Sequence, residues 1–412
     1  MRSRYALLHP RFVLLACGQA TSSLGNGVFP VAIAFLVLER GSATDLAVVL
    51  AADGVGLIVV IAGAGLLADR LPRIGLMVAA DVLRLAATGA MAVVPSRASW
   101  LVPLAFLMGA GEALFAPSYK AILPMVLGGG DRLAAANAAL ATARRVSSLC
   151  GTFLGGVLVA TVGARAALGA DALTFGVSVV SLGAIRVGAG RAPRRRPLLV
   201  DAAEGVRAVT SRPWLWSVIA LASVQGAFAH GPVTVVLPVV VHDRFGNGLS
   251  LSAVYAAETI GLIGGGLLAG AWKPGRPGYV VVAGLASNAL VAAAVVAAAP
   301  LAVLVAANCL FGAGVGAMQV VWNSALQRNV PDDVLGRVVA VDYLGSDGLT
   351  PIGTALTGPV VDRAGANPVM LAAIAVIAVT SAAVVRVPEA MSLGHSAGDE
   401  RPARQASPRA KA

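Results

Sequence analysis

The 412-residue chain is 58% hydrophobic and only 12% charged, with a formal net charge of +11. Soluble globular proteins are typically about 45–50% apolar and about 25% charged, so this composition excludes a water-soluble fold and predicts a protein that lies in a membrane. The three cysteines do not have metal-ligand spacing, and no phosphate-binding loop or nucleophile arrangement is present, so we expect neither an enzyme, a metal site nor a cofactor.

Twelve apolar runs follow one another along the chain. A bilayer-spanning helix needs about 20 mostly apolar residues, and each run is compatible with that length. Their approximate bounds are 12–38, 46–68, 75–95, 99–127, 137–162, 166–187, 214–241, 250–272, 278–299, 301–326, 337–361 and 366–386. The predicted fold class is therefore an all-α polytopic membrane protein with twelve transmembrane helices.

One long polar connector divides the runs into six and six. The predicted organisation is an N-terminal six-helix bundle (1–187), a cytoplasmic central loop (188–213), a C-terminal six-helix bundle (214–387) and a disordered cytoplasmic tail (388–412). The halves also repeat each other, because Gly65-Leu-Leu-Ala in the second run matches Gly266-Leu-Leu-Ala in the eighth, and Gly109 in the fourth matches Gly312 in the tenth. Repeats that rock about a site near the midplane are a common design of transporters.

The basic residues predict the orientation. Most arginines and lysines outside the runs fall in the segments on the same side as the N-terminus, and the positive-inside rule makes that side cytoplasmic, with both termini inside. The net charge then reflects basic loops that face an anionic leaflet, not a nucleic-acid surface. Abundant arginine, alanine, valine and glycine with few lysines are typical of a GC-rich bacterium, so we expect a bacterial inner (plasma) membrane.

A compact charged turn, GLLADRLPRIG (65–75), ends the second run. The glycines before it imitate a dinucleotide-binding fingerprint, but they lie within one unbroken apolar run, where close helix packing is the better interpretation. Taken alone, Asp69, Arg70 and Arg73 would be a solvated loop on the cytoplasmic side.

Ionisable side chains inside a membrane are costly, and they mark a pathway or a charge pair. The proton-coupling candidates are Glu112, Asp53 and Asp347, and the charge partners are Arg144, Arg145, Asp81 and Arg84. Glu112 is preferred, because a carboxylate buried in the middle of the fourth run can take up and release a proton near neutral pH. The alternative is a permanent Glu112–Arg144 ion pair that only ties two helices. Asp171 is expected at the surface.

Further polar and aromatic residues are candidates for lining a substrate cavity. They are Asn26, His230, Glu258, Gln319, Trp322 and Asn323. A lone histidine such as His230 is also compatible with a packing role, and Trp322 lies deep enough to stack on a substrate.

The charged turn resembles the loop 2–3 signature of the major facilitator superfamily. Gly65, Asp69, Arg70 and Arg73 match that signature, whereas proline and isoleucine replace a glycine and a basic residue. More narrowly, the chain is similar to the exporters grouped with enterobactin and macrolide efflux proteins. The stretches that carry this likeness are Ser23-Leu-Gly-Asn26, Ala80-Asp-Val-Leu-Arg84 and Gly111-Glu-Ala-Leu-Phe-Ala-Pro117.

The resemblance implies the twelve-helix major facilitator fold and a secondary active transporter. The expected activity is proton-driven antiport that exports an amphipathic drug, antibiotic or siderophore-like compound by alternating access. Asp69 would sit against the N-terminus of the eleventh helix, near Gly336, as a conformational latch between the halves. The expected partners are a small-molecule substrate, protons and the lipid bilayer, and the chain is expected to be a monomer. Metabolite uptake and a transport-inactive membrane sensor are the alternatives.

Overall fold

The computed structural model describes residues 10–127, 131–185, 198–272 and 274–394, and these residues form helices without any β-strand. The first half contains α1 (Pro10–Leu38), α2 (Ala43–Arg70), α3 (Arg73–Val93), α4 (Ala98–Leu127), α5 (Asp131–Val162) and α6 (Ala164–Gly183). A connecting helix, α7 (Leu198–Thr210), follows. The second half contains α8 (Pro213–Gln225), a π-helix (Gly226–His230), α9 (Gly231–Phe245), α10 (Gly248–Ala271), α11 (Pro277–Ala286), α12 (Asn288–Val296), α13 (Leu301–Asn329), α14 (Asp332–Asp347), α15 (Thr350–Ala364), α16 (Ala366–Val385) and α17 (Pro388–Ser392).

The predicted all-α membrane class is confirmed, although some of the predicted runs are divided into more than one helix. Within the described ranges, eleven helical stretches are long and apolar enough to cross a membrane. The predicted run 337–361 is helical but divided into α14 and α15, of 16 and 15 residues. Pro351 lies in the first turn of α15, where its missing N–H group costs no helical hydrogen bond, so it favours a new helix start at this point.

The predicted disorder of 388–412 is wrong for its first residues. Short helix α17 follows α16 directly, and Ala390, Met391 and Leu393 are buried in a cluster that includes Trp214. Burial of these apolar side chains offsets the cost of ordering the chain, which a composition rich in polar residues did not indicate. The rest of the tail, 395–412, lies outside the described residues.

The central connector also contains structure. Helix α7 packs against α14, and Arg337 Nη1 lies 2.7 Å from Glu204 Oε2 in an ion pair between the two helices. The connector residues before α7 lie outside the described part of the chain.

Glycines allow the long helices of each half to touch backbone to backbone. A Cβ on Gly109 of α4 would collide with the carbonyl oxygen of Asp53 on α2, and a Cβ on Gly312 of α13 would collide with that of Glu258 on α10. Gly109 and Gly312 are the positions that the sequence repeat matched. In each half, therefore, a small residue brings its helix against an acidic residue, as expected where packing in lipid depends on small side chains.

The two halves meet most closely at one end of the bundle, where α2 and α10 begin and α5 and α15 end. This region is called the closed end below. Gly358 of α15 lies against Thr44 and Ala47 of α2, and Gly156 of α5 lies against Ser252 of α10. No residue larger than glycine fits at either contact without movement of the facing helix.

An acidic side chain joins the halves at the closed end. The Asp362 carboxylate accepts hydrogen bonds from the backbone N–H groups of Ala43 (3.1 Å) and Thr44 (3.0 Å), and from the Thr44 hydroxyl. These N–H groups belong to the first residues of α2, which have no partner inside their own helix. The carboxylate satisfies them and also compensates the positive end of the helix dipole.

Candidate functional site

Two cavities, one in each half, are lined by most of the residues predicted for proton coupling and substrate binding. The first-half cavity, of about 400 Å³, lies among α1, α3, α4 and α5. The second-half cavity, of about 590 Å³, lies among α8, the π-helix, α10 to α15 and the turns between them. Apolar runs form their walls, and the polar residues that interrupt those runs point into the spaces between helices.

Glu112 and Arg144 both line the first-half cavity, but not as predicted. The Glu112 side chain is exposed in the cavity rather than buried, so the expectation of a buried carboxylate is wrong. Among the residues that the structure describes, no ion pair within 4.0 Å joins it to Arg144. The Arg144 guanidinium instead lies 5.5 Å from the centre of the Tyr119 ring, a cation–π contact between α5 and α4.

Arg84 lies at the buried edge of the same cavity, and its contacts extend over three helices. Its guanidinium donates to Asn26 Oδ1 on α1, lies 3.7 Å from Asp81 Oδ1 on α3 and covers the Phe175 ring of α6 at 4.1 Å. Asp81 in turn accepts a 2.6 Å hydrogen bond from Ser178 of α6. The pair that the sequence placed within one helix therefore also connects that helix to its neighbours.

Two other first-half acids differ in their surroundings. Asp53 is half-buried on α2, within electrostatic range of Glu112 and Arg84. Asp171, expected at the surface, is fully buried against Gly25 of α1. The surface prediction is wrong because position along a helix gives depth but does not say which face the residue occupies.

Arg145 occupies a smaller neighbouring space. It lines a cavity of about 310 Å³, and Ser23, Asn26 and Arg144 line both this cavity and the first-half cavity. Its Nη1 atom also lies 3.9 Å from the position of a Cβ on Gly266, so it reaches a helix of the other half.

The second-half cavity brings together six of the residues that the sequence singled out. They are His230, Glu258, Gln319, Trp322, Asn323 and Asp347. Phe311, Met318 and Tyr343 also line this cavity and were missed, because apolar side chains in apolar runs carry no signal that separates a cavity wall from lipid-facing surface.

Hydrogen bonds fix the centre of the second-half cavity. Trp322 Nε1 donates to Asp342 Oδ2 at 2.9 Å, and the Ser346 hydroxyl donates to Asp342 Oδ1 at 3.3 Å. The Trp322 ring also packs edge-on against Trp214, with ring centres 5.6 Å apart. Trp322 is thus a fixed wall of the cavity.

His230 closes the π-helix, and its ring lies 5.9 Å from that of Phe311. Single π-turns inside long helices are often found at functional sites. Here His230, the last residue of the π-helix, lines the second-half cavity.

The predicted latch falls mostly outside the described side chains. Arg73 begins α3, whereas the side chains of Gly65, Asp69 and Arg70 lie outside the part of the chain that is described. Within the described part, no three histidine, cysteine, aspartate or glutamate side chains are grouped to hold a metal ion.

Comparison with known proteins places this architecture among transporters. The family model of the Major Facilitator Superfamily matches residues 15–352. The chain is 28% identical over 386 residues to the multidrug efflux pump Tap of Mycolicibacterium fortuitum, covering 87% of this chain and 91% of the relative. It is 21% identical over 369 residues to macrolide efflux protein A of Streptococcus pyogenes, again covering 87% and 91%.

Solved structures show the same fold at low sequence identity. The nucleoside transporter NupG superposes with a TM-score of 0.73 at 11% identity, covering 90% of this chain and 98% of that one. A bacterial homologue of the human lysosomal transporter Spinster, in an inward-facing and unoccupied conformation, superposes with a TM-score of 0.69 at 13% identity, covering 96% and 99%.

Proposed function

Because this chain belongs to the major facilitator superfamily, we propose that it is a proton-driven exporter of an amphipathic small molecule. The observation that carries export is the likeness, over most of both chains, to a protein named as an efflux pump and to one named as an efflux protein. The expected compounds are drugs, antibiotics or siderophore-like molecules, and the expected location is the bacterial inner membrane, with both termini in the cytoplasm.

The second-half cavity is our candidate for the substrate site. Its volume of about 590 Å³ lies within the range of about 300–1,000 Å³ that is typical of small-molecule pockets. Phe311, Met318 and Tyr343 supply apolar surface, while Gln319 and Asn323 are exposed polar groups. An amphipathic molecule has complementary parts for both kinds of wall.

The first-half cavity is our candidate for proton coupling. Glu112 is open to the cavity, with Arg144 along the same wall and Asp53 and Arg84 within electrostatic range of each other. Proton coupling needs an ionisable side chain that is accessible from the cavity, and Glu112 meets that geometric requirement. Asp347, which lines the second-half cavity, is a second candidate.

Alternating access would proceed by opening the closed end. The positive-inside rule puts that end on the outer side of the membrane, because α2 begins there after the first crossing. The conformation with α2 against α15 and α5 against α10 then faces the cytoplasm. The two bundles 1–187 and 214–387 would move as the rocking units, and the Asp69 turn would close the opposite end.

Transport by purified protein in liposomes tests this proposal. With an imposed pH gradient, we expect accumulation of hydrophobic drug probes in the export direction and its loss when an uncoupler is added. Accumulation of a metabolite in the uptake direction would contradict export, and the absence of any flux with a folded, membrane-inserted protein would contradict transport itself. The drug probes are chosen beforehand by expressing the protein in an efflux-deficient host and measuring which compounds the cells tolerate better and accumulate less.

A further inference from the structure

The second-half cavity is lined by acidic side chains without lysine or arginine among its described residues. Its lining includes three carboxylates, Glu258, Asp342 and Asp347. The first-half cavity, in contrast, is lined by charged side chains of both signs, Glu112 with Arg84 and Arg144. Ionised carboxylates that line one cavity attract a cation, because charges inside a protein are screened less than in bulk water.

Two buried amides in the same lining each have an unused acceptor. Gln225 and Asn288 are only 3% exposed, and within the described part of the chain neither Gln225 Oε1 nor Asn288 Oδ1 has a hydrogen-bond partner. Both residues line the cavity, on helices α8 and α12. A buried carbonyl oxygen without a donor is unfavourable, and such groups call for an explanation such as an absent ligand.

The orientation of the Gln225 amide follows from its neighbours on α16. Gln225 Nε2 lies 2.9 Å from the Thr380 hydroxyl oxygen and 3.0 Å from that of Ser381. The Thr380 hydroxyl already donates its hydrogen to the carbonyl oxygen of Val376. It can therefore only accept from Gln225, which places the amide nitrogen on the α16 side and leaves the carbonyl oxygen without a donor among the described residues.

We propose that the second-half cavity binds a protonated amine that carries N–H groups, in preference to a quaternary ammonium ion or a neutral amide. The carboxylates supply the charge complement, and Gln225 Oε1 and Asn288 Oδ1 accept hydrogen bonds from the ammonium hydrogens. The apolar part of the molecule lies against Phe311, Met318 and Tyr343. This assignment rests on the proposed transport function and names the class of its substrate.

Three probes with one shared fluorophore separate charge from hydrogen-bond donation. They are a naphthalene sulfonamide with a terminal primary amine, its N,N,N-trimethyl derivative and its N-acetyl derivative. A site built around hydrogen bonds rejects an analogue that lacks the donor far more strongly than an apolar pocket does. We expect the amine to bind the purified protein at least about tenfold more tightly than either derivative.

Substitutions of the two amides test the assignment of the acceptors. Gln225→Leu and Asn288→Leu should each bring the amine-to-trimethyl affinity ratio close to one, and either variant suffices if the other does not fold. Asn308→Leu is the matched control, because Asn308 is equally buried in the same half but bonds within its own helix, to Leu304 O. It should leave the ratio unchanged.

Equal binding of amine and trimethyl probe by the unmodified protein, or an unchanged ratio in both leucine variants, would overturn the proposal. Transport distinguishes this from failure of the proposed function. If the liposomes export the acetylated probe as well as the amine, export stands and the amine site is rejected. If the amine binds selectively but no probe is moved by a pH gradient, the site stands and proton-driven export is rejected.

Discussion

Arg84 is a buried cation whose partners lie on three helices, so its loss affects more than one contact. Arg84→Ala leaves Asp81 fully buried without its opposite charge. Breaking a buried pair in this way typically costs about 3–5 kcal/mol. We expect the variant to unfold at a clearly lower temperature in detergent, whereas Arg145→Ala, at an exposed position, should unfold as the unmodified protein does. Equal loss in both variants would contradict a structural role specific to Arg84.

Glu112 is the residue at which coupling is best tested. Glu112→Gln keeps the size of the side chain but cannot carry a proton, so we expect net efflux driven by a pH gradient to fall to the level seen with an uncoupler. Exchange of labelled for unlabelled substrate needs no proton and should continue. Glu39→Gln, an exposed acid outside the cavities, serves as control. Full coupling in the Glu112 variant would reject the assignment.

Polarity inside apolar runs was enough to find most of the candidate site. His230, Glu258 and Trp322 were singled out as interruptions of hydrophobic sequence, and all three line the second-half cavity. The same signal was wrong about the exposure of Glu112 and the burial of Asp171. Those errors have one cause, because hydropathy reports that a residue lies at membrane depth but does not report whether it faces lipid, a neighbouring helix or an open cavity.

At the scale of helices, long apolar runs predicted span positions closely, as the run 99–127 and helix α4 (Ala98–Leu127) illustrate. Short or polar helices were not predicted. Helix α7 is amphipathic and is stabilised by its packing against α14. Helix α17 has only five residues and is stabilised by the apolar cluster that includes Trp214. The division between α14 and α15 was also missed, since one proline at a first turn is a weak signal within an apolar run.

The stability of the contact between α15 and α2 at the closed end depends on the charge of Asp362. Asp362→Asn removes the anion from the N-terminus of α2, an interaction worth about 0.3–1 kcal/mol at an exposed position. We expect the equilibrium to shift about 2- to 5-fold toward molecules in which the two halves have separated at this end, which corresponds to that energy. Ala47 is fully buried beneath Gly358, so a cysteine introduced there becomes accessible only when the two halves separate. The reporter is therefore Ala47→Cys in a background without Cys17, Cys150 and Cys309.

The readout of that shift is the rate at which a water-soluble maleimide labels the Ala47→Cys position. Labelling should be faster with Asp362→Asn than without it. Asp243→Asn is the matched control, because Asp243 is an exposed acid near the same end whose partner, His242, is its neighbour in the chain. An unchanged labelling rate with Asp362→Asn would show that the carboxylate does not hold the two halves together.

For the whole molecule, the helix pair formed by α2 and the α14–α15 segment runs between two opposite ends. At the closed end, an acid on α15 caps the start of α2. The family resemblance implies that a second acid, Asp69 near the end of α2, would lie against the start of α14 at the other end, and we propose that it does. Each acid would stabilise the conformation in which its own end is closed. The balance between inward- and outward-facing states would then depend on two interactions of similar type and opposite effect.

This arrangement predicts opposite signs for the two variants. Asp69→Asn should weaken closure of the cytoplasmic end, so the population with the outer end closed should rise and labelling of Ala47→Cys should become slower. Transport should fall while the amount of protein in the membrane stays normal, because the latch acts on the conformational balance and not on folding. Glu389→Gln, an exposed acid on α17, should change neither rate. If Asp69→Asn and Asp362→Asn both accelerate labelling, the two carboxylates do not act as opposed latches, and the pairing of Asp69 with α14 is wrong.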